Sequence, residues 1–283
     1  MKAGFIGAGK VGFSLGKYLA EGGITLSGYY SQSVESAKDA ADFTGSEYYR
    51  DLADLVKASD TIFVTVPDGT IGDVWEKMRT LPIKDKNICH CSGSVSSAAF
   101  FDAEERGAYA YSVHPLYAVS DKYNSFMKLK EAYFAIEGSE RNLEMIKQSF
   151  ENLGNKVIAI DTDKKALYHC AAVMVSNQMA VLLNTGAEML TKCGFNREDA
   201  EKALAPLVIG NINNMVEMGP VKALTGPVER GDLTTIKSHI EALQRSSGDN
   251  LGLYKVLSRK LVDVAQKKHP EKDYEQIKKE LEK

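Results

Sequence analysis

Lys165, His169, Ser176 and Asn177 stand in the run KKALYHCAAVMVSN (164–177), whose remaining residues read as an apolar, buried helix. Each of these side chains costs free energy in such a setting unless it meets a partner. On a helix advancing about 100° per residue, Ser176 falls roughly 20° and His169 roughly 40° from Lys165. The small residues Ala172 and Ala180 share that face, and Asn177 and Asn184 lie on its shoulder. A lysine and a histidine one turn apart can deliver a proton to a carbonyl oxygen under reduction, and a neighbouring amide can orient that oxygen. A bound ligand facing the stripe is the expected reason for its polarity, and a buried polar network between helices is the alternative.

A second set of residues points to the ligand. GFIGAGKVG places Gly7-x-Gly9-x-x-Gly12 after a first strand and at the start of a first helix, with Ala8, Lys10 and Val11 filling the loop. In that context Gly7 permits a tight turn, Gly9 close approach of a pyrophosphate and Gly12 close packing, with the helix amino end facing the phosphates. The second strand runs into GYYSQSVESAK, which has no acid at Tyr30 or Ser31 to hold a ribose 2′-hydroxyl. Ser31, Gln32 and Ser33 offer donors to a 2′-phosphate and Lys38 adds charge, so NADP(H) is expected rather than NAD, although no arginine clamp is present.

Ligands collect at the carboxyl ends of parallel strands, where Val66-Pro67-Asp68, Ser92-Gly93-Ser94 and His114-Pro115 all fall. Val66 and Pro67 are expected beside the nucleotide, Ser92 and Gly93 toward its nicotinamide side, and His114 in the same crevice. Asp68 and Ser94 read equally well as turn residues, and His114 as a structural histidine. Cys89, His90 and Cys91 alternate faces along a strand, so they are assigned to the core and no metal site is expected. In KALTGPVERGDLTT (222–235) the glycines and proline place Thr225 and Arg230 on a turn. Arg230 would pair with a substrate carboxylate or with Asp232, and Asp232 or Thr234 would cap the next helix.

Two kinds of architecture must position these groups. Up to residue 160, short β-rich runs from KAGFIG to KVIAID alternate with helical stretches at 10–21, 33–43, 51–58, 70–80, 96–106 and 139–153, the pattern of a doubly wound parallel sheet. From 161 to 283 the spacing is helical, over 164–193, 197–218, 232–246 and 250–268, with Asn196 as a cap, Gly194 and Gly219 as stops, and a charged tail read as a solvated helix. An α/β Rossmann-like domain (1–160) followed by an all-helical domain (161–283) is therefore expected. With 44% apolar residues and a net charge of −3, the chain has no basic field for nucleic acid. No apolar run approaches the ~20 residues of a membrane span, so no membrane partner is expected. Four cysteines without a CxxC pair fit a reducing, cytoplasmic compartment. The long apolar helices make a homodimer the expected assembly.

In this order GFIGAGKVG, VPD, HCSGS, SVHPL, ALYHCAAVMVSN and ALTGPVERGD resemble the short-subunit dehydrogenase-like oxidoreductases, whose helical domain was long described as of unknown function. That family is similar in architecture to 6-phosphogluconate dehydrogenase and pyrroline-5-carboxylate reductase. Some members are described as alternative ketopantoate reductases of the PanG type, which make pantoate for pantothenate synthesis with NADPH. The resemblance thus implies reduction of a small 2-oxo acid, or of an imine of the pyrroline-5-carboxylate kind. It also matches Lys165 to the lysine of the related enzymes, with His169 where they carry asparagine and Asn177 two turns on. Binding of NADP(H) to signal to a protein partner, without chemistry, is the rival expectation.

Overall fold

The computed structural model describes residues 1–246 and 249–283. The chain divides into two compact units, Met1–Val175 and Ser176–Lys283. The division falls later than residue 160, so the first helix beyond the sheet belongs to the sheet's unit.

In the first unit, β1 (Lys2–Ile6), β2 (Thr25–Tyr30), β3 (Glu47–Tyr49), β4 (Thr61–Val64), β5 (Asn87–His90), β6 (Tyr109–Pro115), β7 (Tyr133–Gly138) and β8 (Lys156–Ala159) form one sheet in the order β3-β2-β1-β4-β5-β6-β7-β8. The helices α1 (Lys10–Glu21), α2 (Val34–Thr44), α3 (Leu52–Ala58), α4 (Ile71–Met78) and α5 (Leu143–Glu151) flank it. Strands β4 and β5 are buried along their whole length, as strands covered on both faces must be. Phe5 of β1 stacks between Tyr29 and Phe63 at ring separations of 5.1 and 5.3 Å, tying the middle strands into one core. The strand order reverses between β1 and β4, and at such a switch point an open sheet leaves a crevice beyond its carboxyl ends.

Three local expectations change. The pair β6–β7 is antiparallel, so the sheet is mostly rather than wholly parallel; the link between them, from Leu116 to Ala132, holds a 3₁₀ stretch (Ser125–Glu131) and no crossover helix. The helix expected over 96–106 is a 3₁₀ turn (Ser97–Phe100) followed by turns. Asp102 fixes that segment, accepting from Trp75 Nε1 at 3.0 Å and pairing with Arg79 and Arg106, each at 2.6 Å. The three-residue β3 was too short to show a pattern.

The stretch expected as one helix over 164–193 is α6 (Lys165–Val175) and α7 (Asn177–Lys192), interrupted at Ser176, whose φ of −115° and ψ of −78° leave the helical range. Nor is it buried. Of the described residues of α6 only Lys165 is buried, while Leu167 and Val175 are 70% and 75% exposed. The run Thr162–Lys192 has a mean hydropathy of 1.4 over its most apolar part and is long enough to cross a bilayer, contrary to the expectation that none would be. A lysine packed into the sheet's unit at its start and asparagines at 177 and 184 argue against that use of it.

The second unit continues with α8 (Arg197–Met218), α9 (Pro220–Ala223), α10 (Pro227–Arg230), α11 (Leu233–Ser246), α12 (Asn250–Lys268) and α13 (Glu275–Glu282). Asn196 caps α8 by accepting from Asp199 N at 2.9 Å, and Gly219, with φ of +83°, ends it. Val228, Ile236, Ile240, Val262, Ala265, Tyr274, Ile277 and Leu281 make a small core. The charged tail is therefore not simply solvated, because the spacing of Tyr274, Ile277 and Leu281 puts three apolar side chains on one buried stripe.

Candidate functional site

The crevice at the switch point is a cavity of about 470 Å³. The Gly7–Gly9 loop, Tyr30, Ser31, Gln32, Ser36, Val66 and Pro67 line it, together with Lys77 and Asp73 of α4. The glycine loop has the shape a dinucleotide needs. At Gly7, φ is +102° and a side chain would stand 2.7 Å from Thr65 O. At Gly12 a side chain would stand 2.5 Å from Gly7 O, whereas one at Gly9 would meet open space. Thr65 Oγ1 donates to Gly7 O at 2.9 Å and holds the loop from the neighbouring strand. Helix α1, twelve residues long, begins after Gly9 with no side-chain cap, so its first amides and dipole face the opening. These features fit a pyrophosphate, and the open cradle at Gly9 is space that any other residue would fill.

Two residues of the expected phosphate grip are placed differently. Ser33 caps α2, its Oγ accepting from Ser36 N at 3.1 Å and donating to Glu35 at 3.0 Å, and it does not line the cavity. Lys38 does not line it either; Lys77 is the positive side chain among the described lining residues. Lys10 and Val11 open α1, with Gly12 buried behind them.

The polar groups of the same unit gather beyond β4, β5 and β6. Ser92 and Ser94 both donate to Asp68 Oδ2, at 2.8 and 2.9 Å, and Ser92 Oγ accepts from Ser94 N and Val95 N. Asp68 directly follows Pro67, so this knot joins the cavity wall to the loop after β5. At Gly93 a side chain would collide with His169 Nδ1 and stand 2.9 Å from His114 Nε2, so glycine is what lets both imidazoles close on that loop. Those rings lie edge to face, centroids 6.4 Å apart. His114 Nδ1 is hydrogen-bonded to Tyr168 Oη at 2.7 Å, and the Lys165 ammonium sits 5.3 Å from the centre of the Tyr168 ring.

Electrostatics separate the roles. Burial, followed by the influence of the neighbouring Lys165 and His169, pushes His114 down to about 3, so it is neutral at ordinary pH. Burial pushes Tyr168 up to about 12. Burial also lowers Lys165 to about 8, against the opposing pull of Glu137, Cys91 and Asp68. Lys165 is 2% exposed, and neither its Nζ nor His169 Nδ1 finds a protein partner. Buried polar atoms are nearly always satisfied, so an unpartnered His169 Nδ1 over Gly93 and an unpartnered Lys165 Nζ one turn earlier on the same helix fit the oxygens of a ligand.

The structure thus brings Lys165, His169, His114, Ser92 and Gly93 together in the first unit. Ser176, Asn177, Thr225 and Arg230 belong to the second. There Ser176 Oγ donates to Asn177 Oδ1 at 3.0 Å, and Asp232 caps α11 through Thr235 N at 3.0 Å and Thr235 Oγ1 at 2.7 Å. Cys89 and His90 are in the core, as assigned, with Cys91 half-buried at its edge, and among the described residues no group of histidine, cysteine and acid side chains could hold a metal. Sequence reasoning missed Tyr168, Lys77 and Glu137. Glu137 gave a signal, as the one acid in the otherwise apolar strand YFAIEG.

Comparison with known proteins bears on the cofactor. Residues 2–89 match the family described as NADP oxidoreductase coenzyme F420-dependent, and residues 132–261 match a domain of unknown function, DUF2520. No curated protein matches the chain. The protein TM1727 of Thermotoga maritima is similar over 94% of this chain and 99% of its own, at 27% identity and a TM-score of 0.76. BF3122 of Bacteroides fragilis, described as a candidate NADP oxidoreductase, is similar at 24% identity and a TM-score of 0.69, over 93% and 98% of the two chains. Pyrroline carboxylate reductase of Plasmodium falciparum, with NADP bound, shares the fold at 16% identity and a TM-score of 0.60, over 95% and 96%. The glycine loop and its cavity lie within the residues matched to the first of these families.

Proposed function

We propose that the protein is an NADPH-dependent reductase of small 2-oxo acids, with 2-dehydropantoate as the first substrate to test. The observation that carries this reading is the buried, unpartnered Lys165 Nζ and, one turn on along the same helix, the unpartnered His169 Nδ1, at the carboxyl end of a sheet whose first turn is shaped for a dinucleotide. Residues 7–12, Ser31, Gln32, Val66 and Pro67 would hold the nucleotide, with Lys77 rather than Ser33 or Lys38 facing its 2′-phosphate. When bound, reduced nicotinamide supplies the hydride.

The side chains do the rest. Lys165, held near pH 8, carries a proton that it can release to an oxygen gaining negative charge, and its burial makes that charge more effective than in water. His169 lies on the same face one turn on, with its unpartnered Nδ1 over Gly93. Neutral His114 holds Tyr168, which sets the side of the pocket against which Lys165 rests. Ser92 is locked by Asp68 and so presents a fixed wall.

The charge on Lys165 favours a ketone over an imine. A reducible imine is protonated and would meet a buried ammonium of like sign, whereas a ketone, with the same kind of carboxylate beside it, brings a neutral polarised oxygen that accepts from the ammonium. Apolar residues exposed on α7 and α8, among them Val181, Leu182, Leu207, Ile209 and Val216, support association of two copies. The free cysteines support a cytoplasmic, reducing location. The test is loss of reduced-nicotinamide absorbance with NADPH or NADH and a panel of 2-dehydropantoate, other 2-oxo acids and pyrroline-5-carboxylate. Turnover of a 2-oxo acid with NADPH is the expected result. Turnover of the cyclic imine alone, or binding without oxidation, would refute the proposal.

A further inference from the structure

Glu137 is the penultimate residue of β7, 1% exposed, with apolar neighbours along its own strand. A carboxylate in such a place needs donors, and it has three. Ser97 N donates to Oε1 at 2.8 Å, Ser97 Oγ donates to Oε2 at 2.7 Å and Thr162 Oγ1 donates to Oε2 at 2.8 Å. Thr162 begins the 3₁₀ turn Thr162–Lys164 that leads directly into Lys165. The carboxylate therefore fastens two segments to the sheet, the turn after the Ser92 loop and the turn that starts α6.

We infer that Glu137 is a positioning residue for Lys165, tying the turn that launches α6 to the sheet and supplying the negative charge that faces the lysine. Other charged or titratable groups face Lys165 from each packed element: Asp68 after β4, His90 and Cys91 on and after β5, His114 on β6, and Tyr168 and His169 on α6. Of the groups that oppose the loss of its proton by burial, Glu137 is the strongest. Asp68 is shared with two serines, and burial pushes Cys91 up to about 12, which leaves a neutral thiol. The inference rests on the reductase reading for its catalytic consequence, but its charge can be read without turnover.

The experiment follows the Cε resonance of Lys165 against pH in the full chain labelled with ¹³C-lysine, assigned by its disappearance in Lys165→Arg. Glu137→Gln keeps the shape, and the hydroxyls of Ser97 and Thr162 can turn to accept from the new amide. The midpoint of Lys165 is expected to fall by about one pH unit in this variant, the lower end of what a nearby opposite charge does, and to return in Glu137→Asp. An unchanged midpoint in Glu137→Gln would overturn the inference. A lowered midpoint in a protein that reduces no 2-oxo acid would leave the inference standing and remove the reductase reading. Should Glu137→Gln fail to fold, Thr162→Val tests the tether at an exposed position. There kcat is expected to fall severalfold with NADPH affinity unchanged, and an unaltered kcat would overturn the tether.

Discussion

Replacing Lys165 by methionine separates stability from catalysis. Methionine fills roughly the volume of the lysine stem and brings no charge, so the pocket stays packed. An unstrained lysine titrates near 10.5 and Lys165 near 8, a difference of roughly two and a half units, worth about 3 kcal/mol. The sign follows from the direction of the shift. Below pH 8 both folded and unfolded chains carry the proton, and the fold bears the whole cost of burying the ammonium; above pH 10.5 neither does, and the cost is gone. Lys165→Met is therefore expected to melt roughly 5–10 °C above the wild type at pH 7, with the gap closing as pH rises from 8 to 10.5. Turnover is expected to fall about 10²- to 10⁴-fold with little change in NADPH affinity, and the wild type should lose activity as pH rises through about 8. Calorimetric melting across that range and steady-state rates are the measurements. A variant that melts lower at neutral pH would show that Lys165 stabilises the fold, and a variant with full turnover would show that it gives no proton.

Gly93→Ala should displace His169, because the new methyl would occupy the space of its Nδ1; a large fall in kcat with unaltered cofactor affinity is expected, and full activity would contradict the packing of the two imidazoles on that loop. Lys77→Ala should weaken NADPH about tenfold and NADH hardly at all in fluorescence titrations, since an exposed cation at a phosphate contributes modestly. Equal loss for both nucleotides would place the 2′-phosphate elsewhere.

Much of the glycine loop and of the cavity it lines was legible because it is local. Gly7, Gly9 and Gly12 lie within one turn of chain, and the same short stretch that names them forms the loop and the helix start. The strand ends at Pro67, Ser92 and His114 were legible for a related reason: in a sheet whose core strands run parallel, every carboxyl end reaches the same edge. The polar stripe of α6 was legible only in part. A wheel drawn through 177 assumes a straight helix, and the break at Ser176 ends that assumption, so Lys165 and His169 share a face while Asn177 starts a new helix.

By itself, then, the sequence determined the alternation of strands and helices, the glycine turn and the presence of a proton-bearing lysine on an apolar helix, since each is set by neighbours along the chain. Tertiary structure alone decided that Lys77 reaches the cavity, that Tyr168 stands between Lys165 and His114, and that Glu137 holds the turn before α6. Those pairings join residues tens of positions apart, and burial, which sets the charge of His114 and Lys165, exists only once the sheet and its covering segments have closed around them.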